Sequence, residues 1–203
     1  MKRLLAVSTT LLLVALTAFG CAHFENTGWV TLIDGNRGLE NWNRVGDANW
    51  RPDYSGFIVA DSGKGGQLVS KKSYKDFVIR AEFWADDTTN SGIFLRISDP
   101  KKIGSATAYE VNIYDHRPDP KYGTGAIGNV AMVNPMPRAG GKWNTYEITA
   151  QGSELTVVFN GVVTAYAHDG KFKEGPISLQ YGSGANGTRG GTVRWRKVQV
   201  KEL

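Results

Sequence analysis

Two short segments bring together side chains that could do chemistry: Asn90–Ile97, reading NSGIFLRI, and Tyr109–Asp115, reading YEVNIYD. Side chains of a β-strand point alternately to its two faces. Read as strands, the first puts Ile93, Leu95 and Ile97 on one face and Phe94 and Arg96 on the other. The second puts Val111 and Ile113 on one face and Glu110, Asn112 and Tyr114 on the other. One face is apolar enough to be core. The other offers an aromatic ring, a guanidinium, a carboxylate and a carboxamide. Such a set suits a sugar, with polar groups for the hydroxyls and a ring for the apolar side of the pyranose.

The elements that must position these residues are short strands. Twenty-five glycines and seven prolines punctuate the chain between β-branched and aromatic runs, as in an all-β sandwich or barrel. Strands are expected near Val30–Ile33, Phe57–Ala60, Gln67–Ser70, Phe77–Trp84, Gly92–Ile97 and Ala108–Tyr114. Others are expected near Ile127–Val133, Trp143–Ala150, Glu154–Phe159, Val162–Ala167, Ile177–Tyr181 and Thr192–Val200. Asn160-Gly161, between LTVVF and VVTAY, is the favoured pair for a two-residue type I′ hairpin. Phe77, Ile79, Ala81 and Phe83 should face the core, with Arg80, Glu82 and Trp84 opposite. Trp195 is out of phase with Val198 and Val200, so burying all three requires a β-bulge at Arg196 or Lys197. Trp42, Trp50, Trp143 and Trp195 read as core or edge cover, and Gly182–Gly191 as a loop.

The N-terminus reads as an export signal. Lys2 and Arg3 precede an apolar run to Phe19, and Ala18-Phe19-Gly20 leads into Cys21, the layout of a signal peptide over residues 1–20. Cys21 is the only cysteine, so no intramolecular disulfide forms. Its position resembles that of the diacylated cysteine of bacterial lipoproteins. Residues 21–27 would then be a tether and 28–203 the folded domain, on an outer-membrane lipoprotein facing the periplasm or the cell surface. Membrane contact would come only through that lipid anchor. The formal charge of +5 falls to +3 without Lys2 and Arg3, too weak and scattered for nucleic acid. His23, His116 and His168 lack zinc-site spacing, and Asp86–Asn90 reads as a solvated turn rather than a calcium loop.

Taken in order, TLIDGNRGLENW, GGQLVSKKSYKDFVIRAEFW, NSGIFLR, YEVNIYD, KWNTYEITAQG, the Asn-Gly hairpin, GPISLQYG and VRWRKVQVKEL resemble the 3-keto-disaccharide hydrolase family. That resemblance implies a concanavalin A-like jelly roll of two antiparallel sheets, one concave, with hydrolase or lyase activity on glycosides already oxidised at C3. It implies roles for Glu110 as base or acid, Arg96 as the positive group at the keto oxygen, and Asn112 and Gln180 as hydroxyl-binding amides. Asp115 and His116 are secondary acid–base candidates, and Glu82, Trp84, Phe94 and Tyr114 further substrate contacts. A divalent ion bridging sugar and Glu110 is compatible with such a site; the sequence requires no cofactor. The pattern departs at Leu179-Gln180-Tyr181-Gly182-Ser183, where many members read LQ-x-HG and this chain lacks the histidine. Asn112 also stands where Gln is common. The paired-Glu pattern of jelly-roll glucanases is absent. A non-catalytic carbohydrate-binding module and a structural surface lipoprotein are the competing readings, since one fold serves many functions.

Overall fold

The computed structural model describes residues 28–184 and 190–203. The expected signal peptide, Cys21 and the tether lie outside the described residues, as does part of the Gly182–Gly191 loop. In chain order the strands are β1 (Trp29–Asp34), β2 (Trp42–Gly46), β3 (Arg51–Asp53), β4 (Phe57–Ala60), β5 (Gly65–Tyr74), β6 (Phe77–Ala85) and β7 (Ser91–Leu95). They continue with β8 (Tyr109–Ile113), β9 (Lys142–Gln151), β10 (Glu154–Phe159), β11 (Val162–His168), β12 (Gly175–Gly182) and β13 (Val193–Glu202). These form an antiparallel jelly-roll sandwich. One sheet has eight strands, in the order β11-β10-β9-β6-β13-β4-β3 with β1 also paired to β13. The other has five, in the order β2-β5-β12-β7-β8.

Alternation explains the core. Phe77, Ile79, Ala81 and Phe83 on β6 are buried, as are Ile93 and Leu95 on β7, Val111 and Ile113 on β8, and Leu179 and Tyr181 on β12. Phe83 sits amid Tyr146, Trp195 and Phe159 at ring separations of 5.3, 5.4 and 6.3 Å. The bulge required in the last strand lies where the register shifts between Trp195 and Lys197. It lets Trp195, Val198 and Val200 all point inward. At the hairpin, Asn160 and Gly161 take φ of 49° and 81°, as a type I′ turn demands. Trp42, Trp50 and Trp195 are core, whereas Trp143 lies against Phe57 at 4.9 Å and is only half-buried.

Two strands were not foreseen: β2, where polar Asn43 and Arg44 adjoin and hide the period, and β3, three residues long with a central proline. Ile127–Val133 is no strand. It makes isolated bridges, Val111 to Ile127 and Ile127 to Ala131, within a loop that folds back along β8. Asp86 closes its turn internally, accepting bonds from Thr88, Thr89 and the Thr192 amide.

The largest correction concerns Arg96. Its φ of 51° ends the alternation of β7, and its side chain turns away from the Phe94 face into the interior. There it is fully buried. It donates to the carbonyls of Lys75 at 2.7 Å, Gly152 at 2.7 Å and Phe172 at 3.2 Å, and pairs with Asp76 at 3.1 Å. Arg96 therefore ties together the β5–β6 turn, the β9–β10 turn and the segment before β12, and it touches no substrate. Arg96→Ala strands those acceptors and should cost about 3–5 kcal/mol, read as a lower denaturant midpoint. Arg96→Lys should recover part of that loss.

Candidate functional site

The outer face of the five-stranded sheet carries the candidate site. Residues opposite one another on neighbouring strands share a face and lie within side-chain reach. Val45, Gln67, Gln180, Gly92 and Asn112 form one row across β2, β5, β12, β7 and β8. Asn43, Val69, Ser178, Phe94 and Glu110 form the next. Gly92, between Gln180 and Asn112, leaves a bare patch of floor. A Cβ there would stand 3.5 Å from Glu110 Oε1 and 2.9 Å from the Val111 carbonyl. Glu110 thus leans over Gly92, toward the gap between the two amides.

A loop roofs this floor. Asn112 N donates to the Ala126 carbonyl at 3.1 Å, Gly125 N to the Asn112 carbonyl at 3.0 Å, and Gly128 N to the Glu110 carbonyl at 2.9 Å. The Gly123–Val130 run therefore forms a rim over the floor. Gly128 lies beside Glu110 Oε2 and the Tyr122 ring, which a Cβ at that position would meet at 3.6 and 3.7 Å. Between floor and rim, burial pushes the Glu110 carboxyl up to about 7, while the positive charge of Arg117 acts in the opposite direction.

The amides beside it have acceptors to spare. Asn112 Nδ2 donates to the Tyr122 carbonyl at 2.7 Å, which fixes the orientation of the carboxamide. Its Oδ1 and Gln180 Oε1 are both buried without a protein partner. A buried acceptor left unpaired is costly, and two on one strand row beside Glu110 suit donors from a ligand; the Trp50 and Trp195 ring N–H groups, also unpaired, lie in the core. Gln67 is instead engaged, accepting from Ser178 Oγ at 2.8 Å.

Several expected site residues are elsewhere. Asp115 is buried and holds Thr124 Oγ1 at 2.6 Å and the amides of Ala139 and Gly140 at 2.9 and 2.8 Å. It is an anchor for the rim, not an acid–base group. Phe94 is on the correct face but is covered by Ile97, Ala108 and Ile103 of the β7–β8 connection, so its ring is not free for stacking. Glu82 and Trp84 are on the outer face of the other sheet, held by Arg196 at 2.5 Å and Arg194 at 4.3 Å. A groove of about 530 Å³ on that face, lined by Arg80, Glu82, Glu147 and Lys197 among others, has its acids already paired: Arg80 with Glu147 at 2.8 Å, and Glu82 with Arg196. His116 is exposed on the loop after β8. Tyr114 is buried and supports Arg117, whose guanidinium lies 5.3 Å from its ring.

Structure adds Gln67, Tyr122 and Arg117. Gln67 alternates with core Leu68 and was legible by period. Tyr122 and Arg117 come from an irregular loop, where no period applies. The missing histidine also has a physical counterpart. At Gly182 a Cβ would come within 2.7 Å of Asn90 Nδ2, which donates to the Ser183 carbonyl. The Asn90 carboxamide thus occupies the space beside Gln180 that a longer side chain would need. Among the described residues, no three His, Cys, Asp or Glu side chains cluster as a metal site.

Because burial raises the Glu110 carboxyl, the folded chain retains a proton that the unfolded chain has lost. From the ordinary carboxylate range up to about pH 7, stability therefore falls as pH rises. Glu110→Gln removes this dependence. The variant should match the wild type near about pH 4 and exceed it by about 1–3 kcal/mol near pH 8, measured by denaturant unfolding. A pH-independent difference would show that this carboxyl is not held in a desolvated recess.

Residues 28–201 match the family model described as a 3-keto-alpha-glucoside-1,2-lyase-like domain. No curated protein matches the chain. Two solved glycosyl hydrolase-like structures from Parabacteroides distasonis are similar. One has 19% identity and a TM-score of 0.72, covering 87% of this chain and 94% of the other. The second has 23% identity and a TM-score of 0.69, covering 86% and 99%. The carbohydrate-binding module CBM66 from Bacillus subtilis has 18% identity and a TM-score of 0.57, covering 87% and 96%. At these identities the solved structures establish the fold. The family rests on the sequence match along nearly the whole described domain: the chain belongs to the 3-keto-alpha-glucoside-1,2-lyase-like domain family.

Proposed function

We propose that this protein cleaves glycosides carrying a ketone at C3, with Glu110 as the base. The observation that carries this reading is the single carboxyl of the recess, raised to about 7 beside two amide oxygens without protein partners. A C3 ketone acidifies the proton on C2. A base whose pKa lies near neutrality can remove that proton and later return it. The Asn112 and Gln180 oxygens accept from sugar hydroxyls and align the ring over Gly92. The arrangement does not favour ordinary glycosidase chemistry, which needs two carboxylates about the scissile bond. Glu82, the other carboxylate expected to take part, is on the opposite outer face.

A second reading, sugar binding without turnover, draws on position 182, where Asn90 fills the place of the family histidine. Turnover of a 3-keto-glucoside, with and without chelator, separates the two. Under the first reading the rate rises with pH and levels off above about 7, as Glu110 loses its proton, and Glu110→Gln lowers kcat by about 10²–10⁴-fold. Gln180→Ala should raise KM more than it lowers kcat, as loss of a binding contact does. Binding of unoxidised glycans with no turnover of any keto sugar favours the second. From the sequence we further propose export with lipidation at Cys21; loss of labelled fatty acid from a Cys21→Ser variant is its test.

A further inference from the structure

Arg117 stands at the recess without a carboxylate of its own. Arg51, Arg80, Arg96 and Arg196 each pair with an acid. Among the described residues Arg117, like Arg194 over Trp84 on the other sheet, has no such partner, and its guanidinium is held by rings alone, 5.3 Å from Tyr114 and 5.4 Å from Tyr122. Such contacts position a cation while leaving its N–H donors unspent. Pro118 follows it and, with its own φ fixed by the ring, stiffens the loop there. Tyr122 in turn borders the same Gly128 position as Glu110 Oε2. Carboxylate and guanidinium therefore lie on neighbouring sides of one recess, close enough to interact electrostatically yet not joined as an ion pair.

We propose that Arg117 is a catalytic residue that donates to the keto oxygen of the substrate and stabilises the negative charge formed there when Glu110 takes the C2 proton. This rests on the reading of the site given above and supplies the positive group that Arg96 does not. In the first step the C2–H bond breaks and its proton passes to the Glu110 carboxylate. The electron pair forms a C2=C3 double bond, and the former carbonyl pair moves onto the C3 oxygen as an enolate beside Arg117. That pair then returns to reform the ketone, a C1=C2 bond forms, and the C1–O bond breaks. The departing oxygen takes the proton from Glu110. Addition of water across C1=C2 completes a net hydrolysis with no oxidant or reductant consumed. A preorganised donor at an oxygen where charge develops acts on the transition state more than on bound substrate.

The test uses the full chain with Arg117→Ala and Arg117→Lys, measuring kcat and KM on a 3-keto-glucoside across pH, and the Glu110 carboxyl by carbon NMR. Expected for Arg117→Ala is a fall in kcat of about 10²–10³-fold with little change in KM, partly restored by added guanidinium. Arg117→Lys should lie between. The Glu110 titration should move upward in Arg117→Ala, because a positive charge that favours its ionised form is gone. Wild-type kcat in Arg117→Ala, a loss confined to KM, or an unmoved Glu110 titration overturns the assignment while leaving cleavage by the wild type intact. A wild type inert toward every 3-keto glycoside overturns the cleavage reading itself, and the catalytic role of Arg117 with it.

Discussion

Register in the five-stranded sheet is dictated by what its inner face has to bury. Ile93 and Leu95, Val111 and Ile113, and Leu179 and Tyr181 lie in one continuous core with the residues of the opposite sheet. Slipping any of these strands by one residue would expose its apolar set and bury its polar one. The hydrophobic effect thus decides, without reference to function, that Glu110, Asn112 and Gln180 emerge on the same outer face. Gly92 then determines what they can do there. Any side chain at that position would fill the space between the two amides, so the recess exists because one strand residue has none.

The two outer faces of the sandwich show what polar satisfaction reveals about use. On the larger sheet, Arg80 pairs with Glu147 and Arg196 with Glu82, while Trp29, Trp143 and Trp84 lie against Arg80, Arg196 and Arg194. Such exposed pairs contribute little individually, and they leave neither Glu147 nor Glu82 in want of a partner. On the smaller sheet a carboxyl is desolvated and two amide oxygens are buried without partners. A folded chain tolerates such groups where something else completes them. The contrast, rather than the depth of either depression, distinguishes the candidate site.

Arg96 and Asp115 show how conformation changes a residue's role. Both sit at the ends of site-forming strands, and by alternation Arg96 belongs beside Glu110. A left-handed backbone at Arg96 directs its guanidinium onto the carbonyls of Lys75, Gly152 and Phe172. Asp115 likewise turns inward to hold two backbone amides and a threonine of the rim. Each positions the site from beneath without contacting what binds there. The guanidinium whose charge acts on Glu110 is instead that of Arg117, on a loop with no regular period.

What the amino-acid order determined was whatever depends on local pattern. Alternation marked the core faces of β6 to β8, Asn160-Gly161 marked its hairpin, and the phase error at Trp195 required the bulge that is found. The placement of Glu110, Asn112 and Gln180 on one face is equally a property of period two. Folding in three dimensions decided the remainder: that Phe94 is roofed, that Glu82 and Trp84 belong to the other sheet, that Arg96 is buried, and that the Tyr122 ring and the charge of Arg117 come near Glu110. These outcomes depend on contacts between segments far apart in the chain and on loop backbones without a repeat. Pleat is a property of consecutive residues, whereas desolvation and unpaired polar groups exist only once distant segments have closed over them.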